Sequence, residues 1–135
     1  MTKEQSRRLV HDFFAAVSAG ELPDELLAPD MQAWTTTQGS MDKAAYQGVI
    51  RLLARMSARP LEFTLDSITV EEDRAVAEVR SEGTLLGGTE YRNTYAFVFR
   101  VRGGKIASVA EHFNALIVEE KMMPLVHKLR KDGNA

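Results

Sequence analysis

Apolar positions change period part-way along the chain. From Lys3 to Ala19, Leu9, Val10, Phe13, Phe14 and Val17 recur at helical spacing and Gly20 closes the run, predicting an amphipathic helix. A shorter helical piece is expected over Asp24 to Leu27, after Pro23, and a short strand over Met31 to Thr36, where threonines follow Trp34. Ser40-Met-Asp-Lys supplies a capping side chain for a second helix. Its apolar stripe is Tyr46, Val49, Ile50, Leu52, Leu53 and Met56, and it ends before Pro60.

From Leu61 the period becomes two. Leu61, Phe63 and Leu65 share one face and Ile68 and Val70 the other, so a bulge or bend is needed near Asp66-Ser67. Strands follow over Ala75 to Leu85, Glu90 to Arg102 and Ile106 to Ile117, with turns at Glu71-Glu-Asp-Arg, Gly87-Gly88 and Arg102-Gly-Gly-Lys. Glu119 to Lys131 predicts a last helix with Met122, Met123, Leu125, Val126 and Leu129 as its apolar side, started or kinked at Pro124, and Asp132 to Ala135 is expected to fray. Helices first and then four long strands with short links imply an α+β fold: an antiparallel meander with helices on one side. One domain is expected over 1–135, with 119–135 as a helical tail.

Composition narrows the chemistry. At 135 residues the chain can bury roughly two-thirds of its unfolded surface, so no staple is required. It has no cysteine, which excludes disulfides, thiolate catalysis and cysteine-held metals. A formal net charge of -2 provides no basic field for nucleic acid. The start, Met1-Thr-Lys-Glu-Gln-Ser-Arg-Arg, mixes charges of both signs and no stretch approaches a membrane span, so a cytoplasmic location and no membrane partner are expected. The expected partner is a small apolar molecule.

On the last strand Ala107, Val109, Glu111, Phe113 and Ala115 share a face that is apolar except for Glu111. A carboxylate carried inward by strand alternation must pair, accept hydrogen bonds or hold a proton, because an ionised, isolated one is costly to bury. Glu111 can therefore be a general acid or base, or sit in a structural ion pair or at a rim. Glu78, Arg80 and Glu82 share one face of the strand from Ala75. That face either meets water or lines a wet pocket in which Arg80 orients two carboxylates. Asn93 and Tyr95 place polar atoms among Tyr91, Phe97 and Phe99, suited to orienting a ligand carbonyl or to bonding a neighbour within the core. His11, His112 and His127 have no metal-ligand spacing, and the glycines punctuate strands rather than cradle phosphate, so neither metal nor cofactor is expected.

The stretch Tyr91-x-Asn93-x-Tyr95-x-Phe97-x-Phe99-x-Val101, running into Gly103-Gly104-Lys105-Ile106 and then Glu111-His112-Phe113-Asn114, resembles the SnoaL-like branch of the nuclear transport factor-like superfamily. The resemblance covers nearly the whole chain. It implies a cone of curved antiparallel sheet packed on three N-terminal helices, with a possible C-terminal helix, in a superfamily that includes ketosteroid isomerases, polyketide cyclases, limonene-epoxide hydrolases and scytalone dehydratases. Laid on the epoxide hydrolases, it implies Glu111 as the water-activating base, Glu82 as the acid and Arg80 as the bridge between them. This sequence departs from that pattern in using glutamate for aspartate, and in reading Ala33-Trp34-Thr35-Thr36 where a water-positioning tyrosine and asparagine belong. The polyketide-cyclase pattern instead needs one pocket acid or base and aromatic walls. The expected substrate-binding residues are Trp34, Tyr46, Asn93, Tyr95, Phe97 and Phe113. The isomerase set of a base with paired oxyanion donors is not recognisable. Relatives commonly pair through the open sheet face, so Arg92, Thr94, Ala96, Val98 and Arg100 are the expected homodimer surface. Two functions follow: a ligand-binding pocket with acid-base activity of the cyclisation, isomerisation or hydration type, or a non-catalytic binding or dimerisation module with a structural Arg/Glu cluster.

Overall fold

The computed structural model describes residues 1–132. Helix α1 (Lys3–Ala19) begins with a reciprocal cap, the Gln5 N–H donating to Thr2 Oγ1 at 3.1 Å and the Thr2 N–H to Gln5 Oε1 at 2.8 Å. It ends at Gly20, whose φ of +88° is left-handed. A Cβ there would stand 2.6 Å from the Ala54 Cβ, so glycine both stops the helix and lets its end approach the neighbouring one. That neighbour is α2 (Lys43–Met56), capped by Asp42, whose Oδ1 accepts the Ala45 N–H at 2.9 Å.

Between the helices lie a 3-10 turn (Asp24–Leu26), β1 (Leu27–Thr35) and β2 (Gly39–Asp42). Strands β3 (Glu62–Glu71), β4 (Arg74–Thr84), β5 (Glu90–Arg102) and β6 (Lys105–Phe113) follow as a meander. The sheet order is β2-β1-β6-β5-β4-β3, and register breaks between Leu65 and Ser67 on β3 and between Arg100 and Val101 on β5 help it curve. The first of these breaks is the phase flip in the sequence.

Three features differ from the sequence expectation. The sheet is mixed rather than purely antiparallel, because β1 runs parallel to β6. Strand β2, four residues long, pairs antiparallel with β1 and carries no alternating apolar pattern to announce it. Strand β6 stops at Phe113, not Ile117, because Asn114 turns the chain by accepting the Leu116 N–H at 3.0 Å. Helix α3 (Ala115–Ile117), a π-helical stretch (Val118–Met122) and α4 (Met123–Lys131) then form one helical run, with Pro124 directly after the wider π-helical turn. Asp132 follows the helix, and the rest of the segment expected to fray lies outside the described residues.

Two apolar clusters result. In the larger, Phe13, Phe14, Phe97 and Phe99 meet mostly edge to face, with centroids 4.8 Å apart for Phe14 and Phe97 and 5.0 Å for Phe13 and Phe99. The smaller gathers Met56, Leu61, Leu85 and Tyr91 under Val118, Met122 and Val126, so the C-terminal helical run covers the space left between α2 and the sheet. No helix among the described residues is long and apolar enough to cross a membrane.

Candidate functional site

Strand alternation decides which side chains enter that space. On β6, Val109, Glu111 and Phe113 face inward, and the register sets Glu111 beside Phe97 of β5 and Thr35 of β1. The end of β1 clamps the strand here, because the Thr36 N–H and its Oγ1–H each donate to the Glu111 carbonyl at 3.1 Å. The carboxyl points to α2, where the Tyr46 hydroxyl donates to Oε2. Tyr46 is fully buried and its ring stacks on Phe13, with centroids 6.5 Å apart, so the helix core fixes the direction of that bond. Among the described residues no donor reaches the other carboxyl oxygen, and Glu111 forms part of a cavity wall.

The cavity measures about 120 Å³. Val49, Leu52, Leu53 and Met56 of α2 form one side, and Tyr91, Tyr95, Glu111 and Phe113 of the sheet the other. Val118, Met122, Met123 and Val126 close it over, leaving Thr37, Gln38 and Arg130 around the mouth. In these apolar surroundings desolvation pushes the Glu111 carboxyl up to about 7, although the Tyr46 bond pulls the other way. The same burial, with the Glu111 charge nearby, holds Tyr46 well above the ordinary phenol value.

A second polar group lines the same sheet wall, on the neighbouring strand β5. Tyr95 Oη lies 2.7 Å from Ser81 Oγ and 3.2 Å from Tyr91 Oη, and Asn93 Nδ2 donates to Tyr91 Oη at 3.0 Å. Desolvation raises both tyrosines, and the Glu111 charge adds to the shift in each. These hydroxyls are therefore neutral donors. Either atom can donate in the Ser81–Tyr95 and Tyr91–Tyr95 bonds, and when Ser81 and Tyr91 are the donors the Tyr95 proton is left for a ligand.

The structure separates the remaining sequence candidates. Arg80 and Glu82 do not join Glu111, because β4 keeps its alternation unbroken and sends Val79 and Ser81 inward instead. Arg80 holds Asp66 at 2.9 Å with both side chains well exposed, and Glu82 faces Arg92 at 3.7 Å in water. Arg80 and Glu82 line an open polar depression with Glu62, Thr64 and Arg92, apart from the cavity that Glu111 lines. Trp34 pairs with Ala110 on the outer face and lies 4.8 Å from the His112 ring, away from the cavity. Phe97 is sealed in the phenylalanine core. Asn93 is buried, its Oδ1 accepting the Thr94 N–H at 2.8 Å and the Asn114 N–H at 3.4 Å, so it ties β5 to the end of β6. Tyr46 reaches Glu111 from behind the wall, while Tyr95 and Phe113 do line the cavity.

Sequence reasoning passed over Ser81, hidden between charged neighbours, although its parity with Val79 marks it as inward. Tyr91 was legible as the first member of the Tyr91-x-Asn93-x-Tyr95 alternation. Tyr46 is among the expected substrate-binding residues, but no sequence signal gives it Glu111 as a partner, which lies 65 residues away.

A model of the SnoaL-like domain matches residues 10–109, a stretch that stops just before Glu111 and the C-terminal helices. An NTF2-like protein from Anabaena variabilis is similar at 27% identity and a TM-score of 0.73, over 84% of this chain and 94% of that one. TsrD from Streptomyces laurentii shares 21% identity with a TM-score of 0.76, over 91% and 98% of the two chains. A proposed SnoaL-like polyketide cyclase from Jannaschia shares 18% with a TM-score of 0.74, over 88% and 92%. These last two likenesses bear on the fold alone. No curated protein matches the chain.

Proposed function

The chain belongs to the SnoaL-like domain family, and from that premise we propose that it moves a proton on a small, largely apolar carbonyl compound, with Glu111 as the proton carrier. The observation that carries this reading is one carboxyl, fixed by Tyr46 through one oxygen and shifted to about 7, the only acid among the described residues lining a largely apolar cavity. A base whose pKa lies near the working pH is ionised often enough to take a proton and acidic enough to return it.

In this scheme the Glu111 carboxylate removes a proton from the carbon next to the carbonyl. The C–H electron pair becomes the enolate, whose oxygen accepts a hydrogen bond from Tyr95. Where a C=C bond adjoins the enolate, its far carbon takes the proton back from Glu111, an isomerisation; otherwise the enolate carbon attacks a second carbonyl of the same molecule, whose oxygen takes that proton, a cyclisation. Tyr95 is supported by Ser81 and Tyr91, and as a neutral donor in a largely apolar cavity it stabilises charge that develops on oxygen. Epoxide hydrolysis by paired carboxyls fits less well. Among the described residues lining the cavity Glu111 is the only acid, and the expected partners Arg80 and Glu82 lie on the outer face.

The test is a thermal-shift screen of apolar carbonyl, epoxide and polyketide-like compounds, followed by deuterium exchange next to the carbonyl in heavy water. Ligand at 100 times its Kd should add about 2.7 kcal/mol of stability. Carbonyl compounds should bind parent and Glu111→Gln alike and exchange only with the parent. Exchange that persists in Glu111→Gln would end the proposal.

A further inference from the structure

The mouth of the cavity differs from its interior in chemistry. Inside, the walls are mostly aliphatic and aromatic, with the tyrosine hydroxyls, buried Thr35 and Glu111 as the polar groups. At the mouth stand exposed Thr37, Gln38 and Arg130, which offer hydroxyl, amide and guanidinium donors and no acid. Arg130 is the only cation lining the cavity, and among the described residues its side chain has neither an ion-pair nor a hydrogen-bond partner.

Volume and charge then constrain the guest together. A space of about 120 Å³ is close to the engineered apolar cavity of about 150 Å³ that holds benzene, so it takes a body of roughly one ring. Anything longer extends to the mouth, where the guanidinium fork matches a planar carboxylate through two parallel bonds. The Glu111 charge repels an anionic end from the floor, and the Arg130 charge attracts it to the rim, so the two groups specify the same orientation.

We infer that the substrate is a keto acid: an apolar ring-sized body with its carbonyl end inside and a carboxylate held by Arg130 at the mouth. This rests on the reading of Glu111 as the proton carrier, since it is that reading which sets the carbonyl inside. Arg130 contributes binding and direction, while the proton transfer stays with Glu111 and Tyr95.

The probes are β-benzoylpropionate, its primary amide and its methyl ester, measured by titration calorimetry and by proton NMR in heavy water. The carboxylate should bind at least about tenfold more tightly than either neutral analogue, with the preference shrinking as salt screens the exposed charge. Arg130→Gln should erase that preference and Arg130→Lys should keep part of it, losing the fork but not the charge. Equal binding of the three probes, binding by none, or a preference that survives Arg130→Gln would overturn the inference. Exchange next to the ketone separates the two ideas: an Arg130-dependent preference without Glu111-dependent exchange counts against proton transfer and leaves the carboxylate anchor standing.

Discussion

Glu82 and Glu111 lie on strands separated only by β5, yet they occupy opposite faces of the sheet and different electrostatic worlds. Glu82 points to water and faces Arg92 at 3.7 Å, the kind of exposed ion pair in which solvent supplies most of what a charge needs. Glu111 points to a cavity walled by leucine, methionine and aromatic side chains, with one phenol donor for compensation. The same functional group is thus an ordinary surface anion on β4 and a near-neutral proton carrier on β6. Strand parity, a single-residue property, makes the difference.

Removing the inner carboxyl should break the comparison most severely. Glu111→Gln retains the shape and a partner for Tyr46 but cannot accept a proton, so exchange on a bound ketone should fall roughly 100- to 10,000-fold, the usual share of a positioned acid or base. Isotope exchange under saturating ligand measures this without mixing in affinity.

A change of pH should sharpen the contrast next. The Glu111 carboxyl is raised from 4.5 to about 7, so between those values the folded protein holds a proton that the unfolded chain has released. The contribution is fully present below pH 4.5 and is lost as pH rises through about 7, an expected loss of about 3 kcal/mol. Urea unfolding at pH 4.5 and pH 8 would show it, and in Glu111→Gln the part due to this residue should vanish.

Tyr46→Phe comes third. It removes the one donor that holds the carboxyl down, so the acidic limb of the activity, where Glu111 must lose its proton to act as base, should move to higher pH, and the unpaired carboxyl oxygen should cost about 1–3 kcal/mol. A stability loss without a displaced pH profile would mean that Tyr46 is only core packing.

Much of this difference could be read in the sequence, and the rest could not for a specific reason. The inward position of Glu111 follows from its apolar neighbours at every second residue, Val109 and Phe113, and the bulge on β3 follows from the phase flip around Asp66-Ser67. Both are local signals with period two. The Tyr46 bond, the parallel pairing of β1 with β6 and the closing helices involve partners distant in the chain, which no local pattern encodes. Arg80 and Glu82 show the converse error. Local alternation assigned them correctly to a charged face and left open whether that face met water or a wet pocket, and the likeness to a hydrolase motif then gave them roles beside Glu111.

That error supplies the mildest experiment and the cleanest control. Arg80 spends its guanidinium on Asp66 through Nε and Nη2, at 2.9 to 3.1 Å, on a face that water reaches freely, and the bond holds the Asp66 carboxyl below its usual range. No cavity-lining group depends on that pair, because the inner side of the same strand is occupied by Val79 and Ser81. Arg80→Gln and Glu82→Gln should therefore leave ketone exchange, its pH profile and ligand affinity as they are in the parent, with at most a small shift in melting temperature that high salt suppresses. A displaced pH profile in either variant would show that the outer charges reach Glu111 through the sheet, and the separation of the two faces would then no longer account for the carboxyl at position 111.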